Sequence, residues 1–583
     1  MRYLLCAVNA KYIHMNPAVH SLKAYADRYY SGQEEPEILI HEATINQHAD
    51  EILMQIYRMK ADVIAFSCYI WNFSLVLDLV RDLRKVLPDT GIWLGGPEVS
   101  YDGARLLKAH PEVDLVMQGE GEDTFLELVE ASGKRSFAGS LPEAGICFRG
   151  DEGEIIDRGM APPADLDRIP FLYEHPEKFK NKILYYETSR GCPFACSYCL
   201  SSVGDRLRFR SLSLVRRELA VFLKAGVPQV KFVDRTFNCN KNHAMEIWRF
   251  LSEQDNGVTN FHFEIAADLL DDEMTDFLKS LRPGLVQLEI GVQSTNPETV
   301  KAIRRQMNLD RVFARVDQIR EAGNIHQHLD LIAGLPYESY DRFAVSFNDL
   351  YRHRPDQLQL GFLKVLKGTL MAETAAGYGI LYKNRAPYEV LKTDWLSYDD
   401  IIALKEVEEM TELYYNSGQF TATLAYAVPF FPSPFLFFEE LASFYAGAVG
   451  EQTRRNRLDR YRLLRDFLLS DRESAERRPE KEITDQCLIY DLYLRENLKT
   501  RPEWAADLSP FRNQIRDLRK GLGESGAGRS RYHIEVFDYD FDDFLKTGRL
   551  CTGRYYCLFD YDRRSPLTRA ARTKFFKRND LQG

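Results

Sequence analysis

The chain has 583 residues, 45% of them hydrophobic and 28% charged, with a formal net charge of −10. That length is too great for one core and predicts about three to five folding units. The mixed composition excludes a disordered or fibrous chain, and the acidic balance excludes bulk electrostatic coating of nucleic acid, which needs surplus Lys and Arg. The opening MRYLLCAVNA reads as a strand and not a signal peptide, because it lacks a long apolar region and a small-residue cleavage site. The most apolar stretch, around residues 427–450, is broken by Pro429, Pro432, Pro434, Glu439 and Glu440, so no membrane span is expected and the chain reads as cytoplasmic. Ten cysteines are too sparse for a disulfide framework, and three of them fall within eight residues, which suggests metal.

Over residues 1–150, apolar runs alternate with helical periods: RYLLCAV, EILIHEA, DVIAFSCY, GIWLGG and VDLVMQG are each followed by a helix pattern. Fully apolar strands with short connections predict a doubly wound parallel sheet of flavodoxin-like order, whose ligand lies over the strand C-termini. Those ends carry Asn9, Ser67, Gly95, Gly96, Pro97, Glu98, Gly119, Glu120, Gly121 and Glu122. Glycines there let a large ligand approach the backbone, or else merely make tight turns.

The runs NPAVHSLKAYA, LGGPEVS and VMQGEGEDTFLEL resemble the cobalamin-binding domain of B12-dependent radical S-adenosylmethionine (SAM) enzymes. The resemblance implies a corrin held by the residues just named. The Asp-x-His-x-x-Gly motif is absent, so the lower axial position is left without a histidine.

APPADLDRIPFLYEHP reads as a crossing linker within 151–181. An apolar run, ILYY, follows, and then Cys192-x-x-x-Cys196-x-x-Cys199. No histidine or fourth cysteine follows at finger distance, so a tetrahedral zinc site is one ligand short locally. Three thiolates on a [4Fe–4S] cluster leave one iron open to a reactant. This spacing, with Tyr198 before the last cysteine, is the hallmark of the radical SAM superfamily. The resemblance implies reductive cleavage of SAM, with electrons from a donor such as flavodoxin or ferredoxin.

Strand candidates QVKFVD, NFHFEIA, LVQLEIG, IHQHLDLIAGL and QLQLGFLKV join the cysteine-bearing strand to predict an incomplete (β/α)6 barrel over 182–395, working at its strand C-termini. FEIAADL, IGVQSTNPETVKAIRRQM and LIAGLPYES resemble SAM-contacting strands of the coproporphyrinogen-dehydrogenase and methylthiotransferase groups. By that likeness Glu264 and Arg305 hold the methionine part, Asp234 and Gln293 lie beside it, and Gly334 and Leu335 line the adenine; Glu289, a polar residue at the same strand ends, is a further SAM-binding candidate. Arg304 rivals Arg305, since the pair leaves the register open.

Residues 396–583 read as a mainly helical domain ending in a few strands and a basic, poorly ordered tail with Arg563, Arg564, Arg569, Arg572, Lys574, Lys577 and Arg578. Cys551 and Cys557 read as buried thiols or as late participants in chemistry, the first favoured. The resemblance implies modification of an unactivated carbon, by methyl transfer or by a cobalamin-assisted rearrangement, cyclisation or reduction, with a small-molecule substrate favoured over RNA or protein. Two competing expectations are a methylthiotransferase-like enzyme with a second cluster on Cys6, Cys68 and Cys147, and a cobalamin-responsive sensor without chemistry.

Overall fold

The computed structural model describes residues 1–131, 141–150, 152–204, 207–448, 457–470, 478–498, 500–521 and 531–577. RYLLCAVN forms β1 (Arg2–Asn9), buried from Tyr3 onward because helices cover both faces. Parallel pairing with β2 (Glu37–Thr44), β3 (Val63–Ser67), β4 (Gly91–Gly95) and β5 (Leu115–Met117) gives the order β2-β1-β3-β4-β5. Helices α1 (Pro17–Tyr29), α2 (Ala49–Arg58), α3 (Phe73–Val86), α4 (Gly103–Ala109) and α5 (Glu122–Ala131) supply the two covering layers. The flavodoxin-like order was expected. Two antiparallel strands, β6 (Ile146–Arg149) and β7 (Ile155–Asp157), were not, and they carry the sheet past residue 150.

Residues 158–182 do not merely cross between domains. Ala161 N donates to Gln118 O at 2.9 Å, and the buried Arg210 guanidinium donates to the carbonyls of Leu166 (2.9 Å) and Ile169 (2.8 Å). The passage is thereby fastened to both neighbours. Its proline content, which suggested a spacer, instead fits a stretch whose carbonyls are satisfied by side chains from outside.

The central sheet has six parallel strands in the order β15-β14-β13-β12-β11-β8. In chain order these are β8 (Leu184–Tyr186), β11 (Gln229–Phe232), β12 (Asn260–Ile265), β13 (Val286–Gln293), β14 (His326–Ala333) and β15 (Gln357–Phe362), with the hairpin β9 (Ser189–Arg190) and β10 (Arg208–Phe209) inserted after β8. Helices α6 (Leu212–Ala225), α7 (Lys241–Glu253), α8 (Asp272–Ser280), α9 (Pro297–Ala302), α10 (Leu309–Ala322) and α11 (Tyr340–Arg352) pack outside. The open edge at β8 meets the first domain, where Ile183 N donates to Ile13 O at 2.8 Å and His14 Nδ1 lies 2.5 Å from the Tyr185 hydroxyl.

Beyond α12 (Leu370–Thr374) and the small pair β16 (Leu381–Tyr382) and β17 (Val390–Lys392), the chain is helical through α13 (Tyr398–Met410), α14 (Thr421–Ala427), α15 (Pro434–Ala448), α16 (Arg457–Leu469), α17 (Lys481–Arg495) and α18 (Arg512–Gly521). The antiparallel sheet β18 (Tyr532–Tyr539), β19 (Thr552–Arg564) and β20 (Ala571–Lys577), with α19 (Phe541–Thr547), closes it. The expected loose basic tail is therefore an edge strand as far as Lys577; Arg578 lies outside the described residues. Its exposed Arg572, Lys574 and Lys577 charge the free edge, which discourages further strand pairing. Cys557 is buried as expected, whereas Cys551 is exposed. No single helix among the described residues is long and apolar enough to cross a membrane. The bent pair Thr421–Phe430 and Pro434–Gly447 passes only when taken together, and Phe435, Phe437, Phe438 and Leu441 of that pair are buried in the core.

A buried carboxylate fixes the third domain. Asp491 on α17 accepts from the backbone N–H groups of Ala422 (2.9 Å) and Thr423 (2.8 Å) and from the Thr423 hydroxyl (2.7 Å), capping α14 from a distance. Asp491→Ala strands those donors away from water and should cost about 2 kcal/mol of stability, read as a lower urea midpoint.

Candidate active site

The hairpin strand β9 ends at Arg190, and the chain turns at Gly191 into the cysteine loop. Ser197 N donates to Ile303 O at 2.9 Å and Ser197 O accepts from Met371 N at 2.7 Å, so the loop is pinned to the barrel rim on both sides. Cys192, Cys196 and Cys199 all line one cavity of about 190 Å³. Cys196 is the buried one, and the Arg305 guanidinium lies 3.9 Å from its sulfur. No fourth cysteine and no histidine lines this cavity among the described residues. Three soft thiolate donors with no further protein ligand fit a [4Fe–4S] cluster that keeps one iron for an exogenous ligand.

Of the residues expected to contact SAM, Tyr198, Glu264, Glu289, Gln293 and Arg305 line the same cavity. Arg305 donates to the Tyr198 hydroxyl at 3.4 Å and to Gly291 O. Arg304, exposed and left-handed (φ 54°), is not in this wall, whereas Arg305 is. Gln293 is itself left-handed (φ 73°) at a register shift in the pairing of β13 with β14, and this irregularity brings its side chain to the cavity.

Asp234 does not belong to the wall. Fully buried, it accepts from Thr188 N (3.0 Å), Thr188 Oγ1 (2.6 Å) and Ser189 Oγ (2.6 Å), fastening the chain that leaves β8. Gly334 and Leu335 are absent from it too. Gly334 adopts φ 88°, and a Cβ there would sit 2.6 Å from Val390 Cγ1, so its glycine serves the packing of β17. Leu335 is core.

Register places ionisable side chains side by side beneath the cysteine loop. Glu264, Glu289 and His328 are neighbours across β12, β13 and β14, with Asp330 beside Gly291 one layer nearer the loop. Lys231 Nζ and His262 Nε2 each lie 3.0 Å from Glu289 Oε2, and His328 Nε2 lies 3.1 Å from Asp330 Oδ1. Burial pushes the Glu289 carboxyl up, but His262 and the Lys231 charge outweigh it and hold it at about 2. Glu264 has no such close partner. Burial pushes it up to about 7, against the opposing pull of Arg235. The folded protein thus keeps this proton to about pH 7, while the unfolded chain releases it near the ordinary 4.5. Stability is accordingly surrendered as pH rises through that window. Glu264→Gln should remove the loss and raise stability at pH 8 by up to ~3 kcal/mol, measured as unfolding midpoints at pH 5 and pH 8. Equal gains at both would refute it.

A second cavity, of about 700 Å³, opens between the C-terminal ends of the first sheet and the barrel. Gly96, Pro97, Gly119, Glu120, Gly121 and Glu122 line it. Gly96 has φ 108°, and a Cβ would meet Cys68 O at 2.6 Å, so a side chain is excluded where the sheet faces the cavity. The expected Asn9, Ser67, Gly95 and Glu98 are not in its wall. Asn9 donates to Glu42 (2.9 Å) and His14 O (3.3 Å), and the Ser67 hydroxyl accepts from Asn16 (3.2 Å). Gly95 packs on Met117. Glu98 is buried and engaged by the Tyr388 hydroxyl and by Lys367 at 3.3 Å, tying this domain to the end of the barrel.

Sequence reasoning missed an ion cluster that spans the two domains. Arg190 pairs with Glu120 (2.9 Å), Glu122 (3.0 Å) and Glu187 (2.8 Å), and Arg208 grips Glu120 from the other side. It also missed Asp330 and Arg235. Arg235 lines both cavities and, among the described residues, is the one common to their walls. Its position directly after a barrel strand, in FVDRTFN, was the available signal. Cys6, Cys68 and Cys147, proposed ligands of a second cluster, are instead packed in the apolar core of the first domain.

Family models match three stretches of the chain: one described as B12 binding domain over residues 5–129, one as Radical SAM superfamily over 186–350, and one as Protein of unknown function (DUF4080) over 376–559. The chain joins a B12-binding domain to a radical SAM domain. The larger cavity therefore lies between the B12-binding domain and the radical SAM domain, and the smaller lies within the latter. Cobalamin-dependent radical SAM methyltransferase TokK of Streptomyces tokunonensis is 26% identical over 340 residues, 54% of this chain and 47% of that protein. The chain thus spans about half the length of this curated relative. Two solved structures share the fold. Apo OxsB, a cobalamin-dependent S-adenosylmethionine radical enzyme, has a TM-score of 0.56 at 13% identity, covering 94% of this chain and 82% of that one. TsrM from Kitasatospora setae, a radical S-adenosylmethionine methyltransferase solved with cobalamin and a [4Fe–4S] cluster, has a TM-score of 0.52 at 15% identity, covering 66% and 78%.

Proposed function

We propose that this protein is a cobalamin-dependent radical SAM methyltransferase that methylates an unactivated carbon of a small molecule, drawing electrons from a low-potential donor such as flavodoxin or ferredoxin. The observation that carries the reading is the meeting of the two cavities at Arg235, with the cysteine loop between them: Gly191 lines the larger and Cys192 the smaller. When bound, a [4Fe–4S] cluster with SAM would supply a 5′-deoxyadenosyl radical, and cobalamin would supply a methyl carrier.

The protein's own part is placement. Cys192, Cys196 and Cys199 would hold the cluster, and Glu264 and Arg305 suit the ammonium and carboxylate of SAM. Gly96, Gly119 and Gly121 leave room for a corrin over the strand ends. The Arg190 cluster holds the two domains in register, so that groups bound in each cavity face one another. The names given to TokK and TsrM, both methyltransferases, favour methyl transfer over rearrangement.

Anaerobic reconstitution with iron, sulfide and hydroxocobalamin tests this. Expected are about four irons per chain, a corrin absorption spectrum, and, with deuteromethyl-SAM and a small-molecule extract, both 5′-deoxyadenosine and S-adenosylhomocysteine. Cleavage to 5′-deoxyadenosine with no S-adenosylhomocysteine would replace methyl transfer by rearrangement; absence of corrin uptake would end the reading.

A further inference from the structure

Among the described residues, five arginines line the two cavities, and neither wall contains a lysine or histidine. Four of the five are committed. Arg190 is held by Glu120, Glu122 and Glu187, Arg208 by Glu120, and Arg210 by Glu218 at 2.6 Å. Arg305 bonds Gly291 O and the Tyr198 hydroxyl beside Cys196, where it is taken by the SAM carboxylate in the reading above. Arg235 is different. It is exposed, its guanidinium makes no ion pair or hydrogen bond with any side chain or carbonyl among the described residues, and it alone belongs to both walls. Glu264 and Tyr69, which face the two cavities, feel its charge without pairing with it.

A guanidinium stays ionised under all ordinary conditions and presents a planar fork that matches a carboxylate or phosphate. The compound to be methylated must reach both cavities at once, and Arg235 is where they join. We propose that Arg235 is the substrate anchor, and that this protein acts on an organic anion whose carboxylate or phosphate pairs with that guanidinium. The proposal rests on the reading that the two cavities hold SAM and cobalamin. It adds a specificity-determining residue and a substrate class. The balance of charge supports it, because the carboxylates lining the cavities are mostly matched by Arg190, Arg208 and Arg210 and by Lys231, His262 and His328, leaving this cation with no carboxylate in contact.

Arginine footprinting of the reconstituted holoprotein with phenylglyoxal, read by peptide mass spectrometry, tests the site directly. With SAM and cobalamin present, Arg235 should be labelled more readily than Arg190, Arg208, Arg210 or Arg305. Benzoate or inorganic phosphate should suppress that label, while neutral benzamide should not. Protection by benzoate alone assigns a carboxylate; protection by phosphate alone assigns a phosphate ester. If Arg235 resists labelling once SAM or cobalamin is bound, or if neither anion protects it, the residue is a cofactor contact and the proposal is overturned.

A second arm reads turnover. A small-molecule extract is split on a strong anion exchanger, and each fraction is offered with deuteromethyl-SAM. The label should enter the retained, anionic fraction. Arg235→Ala should cut that transfer about 10- to 100-fold with iron and corrin content unchanged. Arg235→Lys should retain part of it, and added guanidinium should partly rescue the alanine variant. Label entering only the unretained fraction, or an alanine variant at the wild-type rate, would sink the anchor. Wild-type protein lacking corrin, iron or SAM cleavage would instead sink the parent reading, and this one with it.

Discussion

Cys196→Ala should abolish SAM cleavage, lowering 5′-deoxyadenosine formation under dithionite by at least about 10³-fold, equivalent to some 4 kcal/mol of transition-state stabilisation. Cys196 is the buried member of the trio and the one beside Arg305. Its loss leaves two thiolates, too few to hold a cluster with one open iron. Iron per chain should fall well below the wild-type value in the same preparations. Cys239→Ala is the matched control: its thiol is raised by burial to about 11, and it does not line the cavity. That variant should keep its iron. A Cys196→Ala protein that retains both full iron content and SAM cleavage would remove the chemical basis of the assignment.

Arg190→Met should destabilise the docking of the B12-binding domain by about 3 kcal/mol. Three carboxylates, Glu120, Glu122 and Glu187, converge on this guanidinium, and the Glu122 side chain is only 6% exposed. Truncating one partner of a buried ion cluster leaves the others desolvated without compensation, which is dearer than the pair was worth in itself. Arg208 still engages Glu120, so the burden falls on Glu122 and Glu187. The expected signs are faster proteolysis within residues 158–182 and weaker corrin retention on gel filtration, with the cluster spectrum preserved. Arg190→Met protein as protease-resistant as wild type would show that the domains are held by other contacts.

Most of the architecture was legible because parallel strands buried on both faces leave near-continuous apolar runs, and each run in residues 1–150 and 182–395 is a strand. The cysteine spacing was local and survived unchanged. Long-range partners were not readable. Glu98 looked like a ligand-facing residue at a strand end, but Lys367 and, 290 positions on, Tyr388 occupy it. Asp234 looked like a SAM contact, yet it lies outside the cavity wall and accepts three donors at 2.6–3.0 Å from Thr188 and Ser189, partners no local pattern announces. That Arg305 and not Arg304 lines the cavity accompanies a left-handed backbone angle at Arg304 that no pattern of residue types announces. The strand β20 was hidden by its own charges, because ARTKFFK alternates cations with the residues that pack.

The passage 158–182 has a bearing on how such proteins are recombined. Met160, Ala161 and the run 169–173 form part of the wall of the larger cavity, and Ala161 N is hydrogen-bonded to Gln118 O. A chimera that grafts residues 1–150 onto a foreign barrel would discard one side of the larger cavity together with β7. The transplantable unit runs through Tyr173, and shuffling at any earlier seam should yield hybrids that fold yet fail to keep a tetrapyrrole.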